Sequence, residues 1–183
     1  MNMRRVLVLG PPGAGKSTLA LALGARLGLP VHHLDHVFFR PGWVQVPMAE
    51  FAAEVGRLAA GPGWVIDGIF LDVLEPHLRA ADTVIYLDLP PWVTLFRILR
   101  RTLNTYGQTR PDGPVGCPER VDLGFLRYAM RFNARERGKI LRFVESFNAG
   151  ARVLRGQAAI RRFLAAQPMA LPESLRHADP ETV

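Results

Sequence analysis

The sequence has one cysteine, Cys117, in 183 residues. A single thiol excludes an intrachain disulfide and a zinc site built from cysteines. Lysine is almost absent as well: Lys16 and Lys139 are the only two, so the positive charge is nearly all arginine. No segment reaches the roughly 20 uninterrupted apolar residues that a membrane span needs. The best run, Leu19 to Leu29, is broken by Arg26 and reads as a buried helix. Arg4 and Arg5 precede an apolar run, but Val6 to Leu9 is too short for the core of a secretion signal. These shortages lead to the expectation of a cytoplasmic chain with no membrane partner.

The remaining composition, 49% hydrophobic and 21% charged, is that of a globular protein and excludes disordered and collagen-like chains. The length suits one domain. The formal net charge is +7 and unevenly placed: residues 97–162 hold fifteen Arg or Lys against five Asp or Glu. Arginine presents a planar fork that grips phosphate, on a nucleotide or on nucleic acid. Solvated arginines explain part of the excess equally well.

Strand and helix patterns alternate along the chain. Residues 4–9, Val31 to Leu34, Trp64 to Asp67, Thr83 to Asp88 and Ala151 to Leu154 read as short buried strands. Helical spacing runs from Lys16 to Leu27, from Pro47 past Leu58, from Pro91 to about Leu103, from Asp122 to about Phe147 with Gly138 as a possible break, and from Gln157 to Leu164. On the helix opening at Pro91, Val93, Phe96 and Leu99 are expected inward. Residues 104–121, rich in Gly and Pro, read as an exposed loop. This order predicts an α/β three-layer domain with a five-stranded parallel sheet over residues 1–167, and a loosely held tail at 168–183.

Gly10-Pro11-Pro12-Gly13-Ala14-Gly15-Lys16-Ser17, then Thr18, fits G-x-x-x-x-G-K-[ST], with a strand before it and a helix after it. Glycines let backbone N–H groups close around phosphate oxygens, and the helix start adds its positive end. Lys16 is placed for the β- and γ-phosphates of ATP, and Ser17 for Mg²⁺. Asp67, ending a strand beside this loop, is expected to hold Mg²⁺ or its waters; capping the next helix is the other reading. Asp88 reads as a helix cap.

Asp35 follows the second strand and would face an acceptor, binding a hydroxyl or ammonium group or taking a proton. Arg40 and Trp43, with Phe38 and Phe39, suit an acceptor pocket or a small satellite core. His32, His33 and His36 have no fourth partner at metal-ligand spacing and stay unassigned. Arg97, Arg100 and Arg101 share one helix face, and Arg131 and Arg135 repeat the spacing later. Two Arg-bearing helices around a Gly/Pro loop predict a helical lid over 97–137, with Arg97, Arg101, Arg131 and Arg135 steadying the transferring charge. The acceptor region would span 31–63.

Together these motifs resemble the adenylate-kinase-like P-loop kinases, the group of the shikimate and gluconate kinases. The closer resemblance is to the bacterial DNA topology modulation family, related to adenylate kinase. It covers residues 3–165 and rests on Gly10 to Ser17, Leu34-Asp35 with Arg40 to Trp43, Trp64 to Gly68, Ala81 to Pro90, and Arg110-Pro111 with Cys117 to Arg120. The resemblance implies a P-loop NTPase fold, ATP and Mg²⁺, a small-molecule or nucleotide acceptor, a monomer, and Arg155 and Gln157 at the edge of the base. Adenylate kinases follow the Asp-Gly with an aromatic residue, a proline and an arginine for the monophosphate. Here Ile69-Phe70-Leu71 stands instead, so AMP is not implied as the acceptor. The family name and the basic excess leave a nucleic-acid-associated protein as the alternative.

Overall fold

The computed structural model describes residues 3–70, 79–110, 112–147 and 150–167. The expectation for a loose tail lies outside the described residues. The chain runs β1 (Arg5–Leu9), α1 (Lys16–Leu27), β2 (Val31–His33), α2 (Leu34–Phe38), β3 (Phe39–Arg40), β4 (Val44–Gln45), α3 (Met48–Ala59), β5 (Trp64–Asp67), β6 (Thr83–Asp88), α4 (Pro91–Thr105), α5 (Leu123–Glu145), β7 (Ala151–Arg155) and α6 (Gly156–Ala165).

Five strands form one parallel sheet in the order β2-β5-β1-β6-β7. Alternate residues of the central strands serve opposite faces. Leu7, Leu9, Ile66, Val84 and Tyr86 pack with Phe51 and Val55 of α3 and with Phe132, Ile140 and Val144 of α5. Val6, Val8, Val65, Ile85 and Leu87 pack with Leu19 and Leu23 of α1 and Ile160 of α6. Both faces are covered, which is why these strands read as continuous apolar runs. The three-layer α/β architecture is the one the sequence predicts. Among the described residues no helix is long and apolar enough to cross a membrane.

Phe51 anchors the first layer, its ring centroid 5.0 Å from that of Phe38 and 4.7 Å from that of Phe70. Phe51→Ala is expected to cost about 3–5 kcal/mol in chemical denaturation, through lost burial and the cavity left behind. A loss under about 1 kcal/mol would show that this aromatic cluster is peripheral.

Three local expectations are corrected. Gly138 does not interrupt α5. On α4 the inward residues are Thr94, Ile98 and Thr102, whereas Phe96 and Leu99 are exposed, and so are Trp92 and Leu103 at 73% and 78%. Close approach explains the choice of face. A Cβ at Gly13, whose φ is +75°, would lie 2.6 Å from the Thr94 carbonyl oxygen and 2.8 Å from Ile98 Cγ1, so the glycine lets the phosphate loop pack directly on the Thr94 and Ile98 face of α4. Periodicity alone does not report that contact.

The third correction concerns residues 104–121, which are not an open loop. β3 and β4 form a hairpin that the sequence reading did not anticipate, and the loop docks on it. Gly42 N–H donates to Gly116 O at 2.8 Å, Trp43 Nε1 to Pro118 O at 2.9 Å, and Cys117 Sγ to Arg40 O at 3.2 Å. Gly116, at φ +70°, admits no Cβ, which would stand 2.8 Å from Pro41 Cβ. The glycines and prolines here build a fitted surface, not slack.

Candidate functional site

A cavity of about 840 Å³ opens beyond the carboxyl ends of β1, β2 and β5. Its floor is the loop between β1 and α1, with Gly10, Gly13, Gly15, Lys16, Ser17 and Thr18 in the lining. Gly13 and Gly15 hold left-handed φ values of 75° and 91°. The N-cap of α1 is Gly15, and no side chain caps it. The N–H groups of the first helical turn therefore have no partner within the helix and are available to an anion. A Cβ at Gly15 would meet nothing within 4 Å, as befits a loop that faces open space. Pro11 and Ala14 shape the loop from behind, with Ala14 N–H donating to Pro11 O at 3.1 Å.

Lys16 Nζ donates to Pro11 O at 3.2 Å. Burial lowers its pKa from the usual lysine value, the Asp35 and Asp67 charges pull it back up, and the Arg101 guanidinium lowers it again. Protein surrounds Asp35, yet its surface is open to the cavity. Burial pushes its carboxyl above the usual carboxylate range, the Lys16 charge opposes this, and the Asp67 charge reinforces it. Lys16 and Asp35 are thus electrostatic neighbours on one cavity wall.

Asp67 is 3% exposed and does not line the cavity. The β2–β5 pairing sets His33 beside it, and His33 Nδ1 lies 2.9 Å from Asp67 Oδ2. His33, not Asp67, reaches the cavity wall. The hydrogen bond to Asp67 raises the His33 pKa above its ordinary value of 6.5, more than burial lowers it. A raised histidine pKa contributes stability that is full below the unfolded value and fades as pH rises through the folded one. The melting-temperature difference between wild type and His33→Gln should therefore be largest below pH 6.5 and shrink toward alkaline pH. A pH-independent difference would mean that the pair is no proton-linked contact.

Among the described residues no three or more His, Cys, Asp or Glu side chains gather to hold a metal by themselves. A Mg²⁺ on the Ser17 hydroxyl would take its other oxygens mainly from bound phosphates and water, the usual habit of that ion. The cradle, the uncapped helix start and Lys16 fit a polyphosphate, and Ser17 fits its cation. Asp67 is paired with His33 and does not itself face the cavity.

The predicted arginines separate into two sets. Arg97 lines the cavity, donating to Ala14 O at 3.3 Å and to Gln157 Oε1 at 2.8 Å, and so ties the phosphate loop to α6. Arg101 also lines it, 3.2 Å from Glu119 Oε1. Arg131 and Arg135 stand exposed on α5 and are not in the lining. Arg40 pairs with Glu50 outside the cavity, at 2.6 Å, whereas Trp43 lines it. Asp88 caps no helix: it accepts from Arg137 at 2.8 and 2.9 Å and lies 3.4 Å from Arg155. Arg155 is spent on that pair and does not edge the cavity.

Sequence reading passed over His33, Arg110, Asp112, Glu119 and Arg120 as site residues, all of which line the cavity. The signal was present in part, as charged residues set among the glycines and prolines of residues 104–121. Arg120 also sits over the Trp43 ring, 6.0 Å from its centroid.

Against known proteins, 161 residues are 26% identical to an adenylate kinase from Gloeobacter violaceus, covering 67% of this chain and 72% of that one. A shikimate kinase from Paracidovorax citrulli is 33% identical over 132 residues, 61% of this chain and 67% of that relative. The chain belongs to the P-loop kinase family. This P-loop kinase also superimposes on the crystal structure of a shikimate kinase from Bacteroides thetaiotaomicron. The TM-score is 0.53 at 19% identity, over 89% of this chain and 95% of that one, which is a likeness of fold. No protein-family model matches the chain.

Proposed function

We propose that this P-loop kinase transfers the γ-phosphoryl group of ATP, with Mg²⁺, to a small acceptor held between Asp35 and the aromatic wall. The observation that carries the reading is the meeting of the glycine cradle, the uncapped start of α1, Lys16 and Asp35 in one cavity. The loop N–H groups and Lys16 would bind the β- and γ-phosphates, Lys16 leaving its contact with Pro11 O. Bound Mg²⁺, held by Ser17, supplies charge neutralisation on the phosphate oxygens. Asp35 would orient the acceptor hydroxyl and receive its proton. Arg101 and Arg110 would face the charge that spreads over the transferring group.

The acceptor side is walled by Phe38, Phe39 and Trp43, and by Ile69 and Phe70 where an AMP-binding arginine would follow Gly68. That lining favours a nucleoside or hydroxyl metabolite over AMP. The test is ADP release from Mg·ATP across a panel of nucleosides, nucleoside monophosphates and small hydroxy acids. One acceptor that stimulates release well above the ATP-only rate supports the reading; none across the panel defeats it.

A second reading, a nucleic-acid-associated protein, is favoured by one observation. Arg100, Arg127, Arg131 and Arg135 are solvent-exposed on α4 and α5 and unclaimed by the cavity. Counterion-release binding to duplex DNA would weaken steeply as salt rises. DNA binding lost in Arg131→Ala with ATP turnover unchanged would assign that surface to nucleic acid.

A further inference from the structure

Glu119 is 5% exposed, yet the proposed transfer gives it no task. Its Oε1 lies 2.6 Å from Arg110 Nε and 3.2 Å from Arg101 Nε, and its Oε2 accepts from Thr102 Oγ1 at 3.2 Å. The backbone is held separately: Gly107 N–H donates to Glu119 O at 2.8 Å and Glu119 N–H to Gln108 O at 2.9 Å. The loop backbone thus has anchors of its own besides the carboxylate.

A buried carboxylate carries a desolvation cost that only well-placed opposite charge offsets. Here it gathers two guanidiniums that belong to different halves of the cavity. Arg101 is near enough to Lys16 to lower its proton affinity, and Arg110 near enough to Asp35 to stabilise its charge. Both meet Glu119 through Nε. The contact with Arg101 is a charge pair without a well-directed hydrogen bond at Nε, so Arg101 can be re-aimed at small cost. Arg110 also has Asp112, 3.2 Å from its Nη1, but Glu119 is the carboxylate paired with Arg101; without it Arg101 would face the charges of Arg110 and Lys16 in a partly desolvated space.

We propose that Glu119 is a positioning residue: it holds Arg101 and Arg110 together while phosphate is absent, until a bound polyphosphate supplies the negative charge in its place. The kinetic part rests on the phosphoryl-transfer reading; the anion-binding part does not.

The test uses the full chain, with Glu119→Gln and Glu119→Asp. Thermal unfolding is followed with and without Mg²⁺ and inorganic tripolyphosphate, and steady-state kinetics with the acceptor found above. Glu119→Gln should melt lower than wild type without anion. Tripolyphosphate should restore it, so that its rise exceeds that of wild type, because a ligand that binds only the folded state stabilises more as it binds more tightly. Glu119→Asp, which keeps the charge, should behave as wild type. In kinetics, Glu119→Gln should lower KM for ATP about threefold or more, because the freed cations bind phosphate more tightly, while kcat at saturating Mg·ATP stays within about threefold; a fall of about tenfold in kcat with KM unchanged would overturn the proposal.

A melting deficit that tripolyphosphate does not restore marks a mere structural staple and overturns the proposal. A Gln variant with the wild-type melting point and rise overturns it too. If Glu119→Gln does not fold, the double variant with Arg110→Gln should, since it removes one charge of each sign; a double variant that stays unfolded overturns the proposal. If wild type uses no acceptor but the tripolyphosphate pattern holds, the transfer reading fails and the role of Glu119 stands.

Discussion

Lys16→Ala should reduce phosphoryl transfer by about a thousandfold or more, roughly 4 kcal/mol of lost transition-state stabilisation, and leave the fold intact. The size follows from where the ammonium sits. It is held by one carbonyl contact at 3.2 Å, in a loop whose other donors, the backbone N–H groups and the Ser17 and Thr18 hydroxyls, carry no charge. The fold should survive because Lys16 opens α1 facing the cavity, while Leu19, Ala20 and Leu23 on its other face make the core contacts. ADP release with the identified acceptor measures the loss, and circular dichroism checks the fold. Transfer at the wild-type rate would remove the phosphate loop from the mechanism.

Asp35→Asn should lower transfer by about 100-fold or more while ATP affinity changes less than about threefold, because the amide keeps the shape and loses the proton acceptor. Its pH behaviour is the sharper check. Burial holds the Asp35 pKa above the ordinary carboxylate value of 3.8. A group that must be ionised to act loses activity as pH falls through its pKa, so the acid limb of the wild-type profile should lie at higher pH than an ordinary carboxylate gives. In Asp35→Asn the residual activity should lack that limb. A variant with unchanged rate, or with the limb intact, would move the acceptor chemistry to another residue.

Much of the fold was legible because its signals are local. The central strands β1, β5 and β6 are largely apolar runs of four to six residues, and the phosphate loop is written contiguously from Gly10 to Ser17. What escaped was contact between distant segments. Nothing near His33 announces that β2 pairs with β5 in the register that sets it against Asp67. Nothing near Asp88 announces Arg137 on a helix 49 residues later, so its place at a strand end read as a cap. α4 shows the same limit in apolar terms. Trp92, Phe96, Leu99 and Leu103 recur at helical spacing, yet the helix buries the row of Thr94, Ile98 and Thr102, because the phosphate loop packs against that row at Gly13. Arg131 and Arg135 shared the spacing of Arg97 and Arg101 but not their direction, since which stripe of a helix faces inward is set by its neighbours.

The three tryptophans occupy three distinct surroundings. Trp64 is fully enclosed in the sheet and Trp92 stands mostly in solvent. Trp43 lies at the seam between hairpin and loop, its indole N–H on Pro118 O and the Arg120 guanidinium over its ring. The chain therefore carries its own optical gauge of that seam. With Trp64 and Trp92 replaced by Phe, any parting of hairpin and loop during a catalytic cycle would be read as a red shift and altered quenching from one native fluorophore, with no label attached.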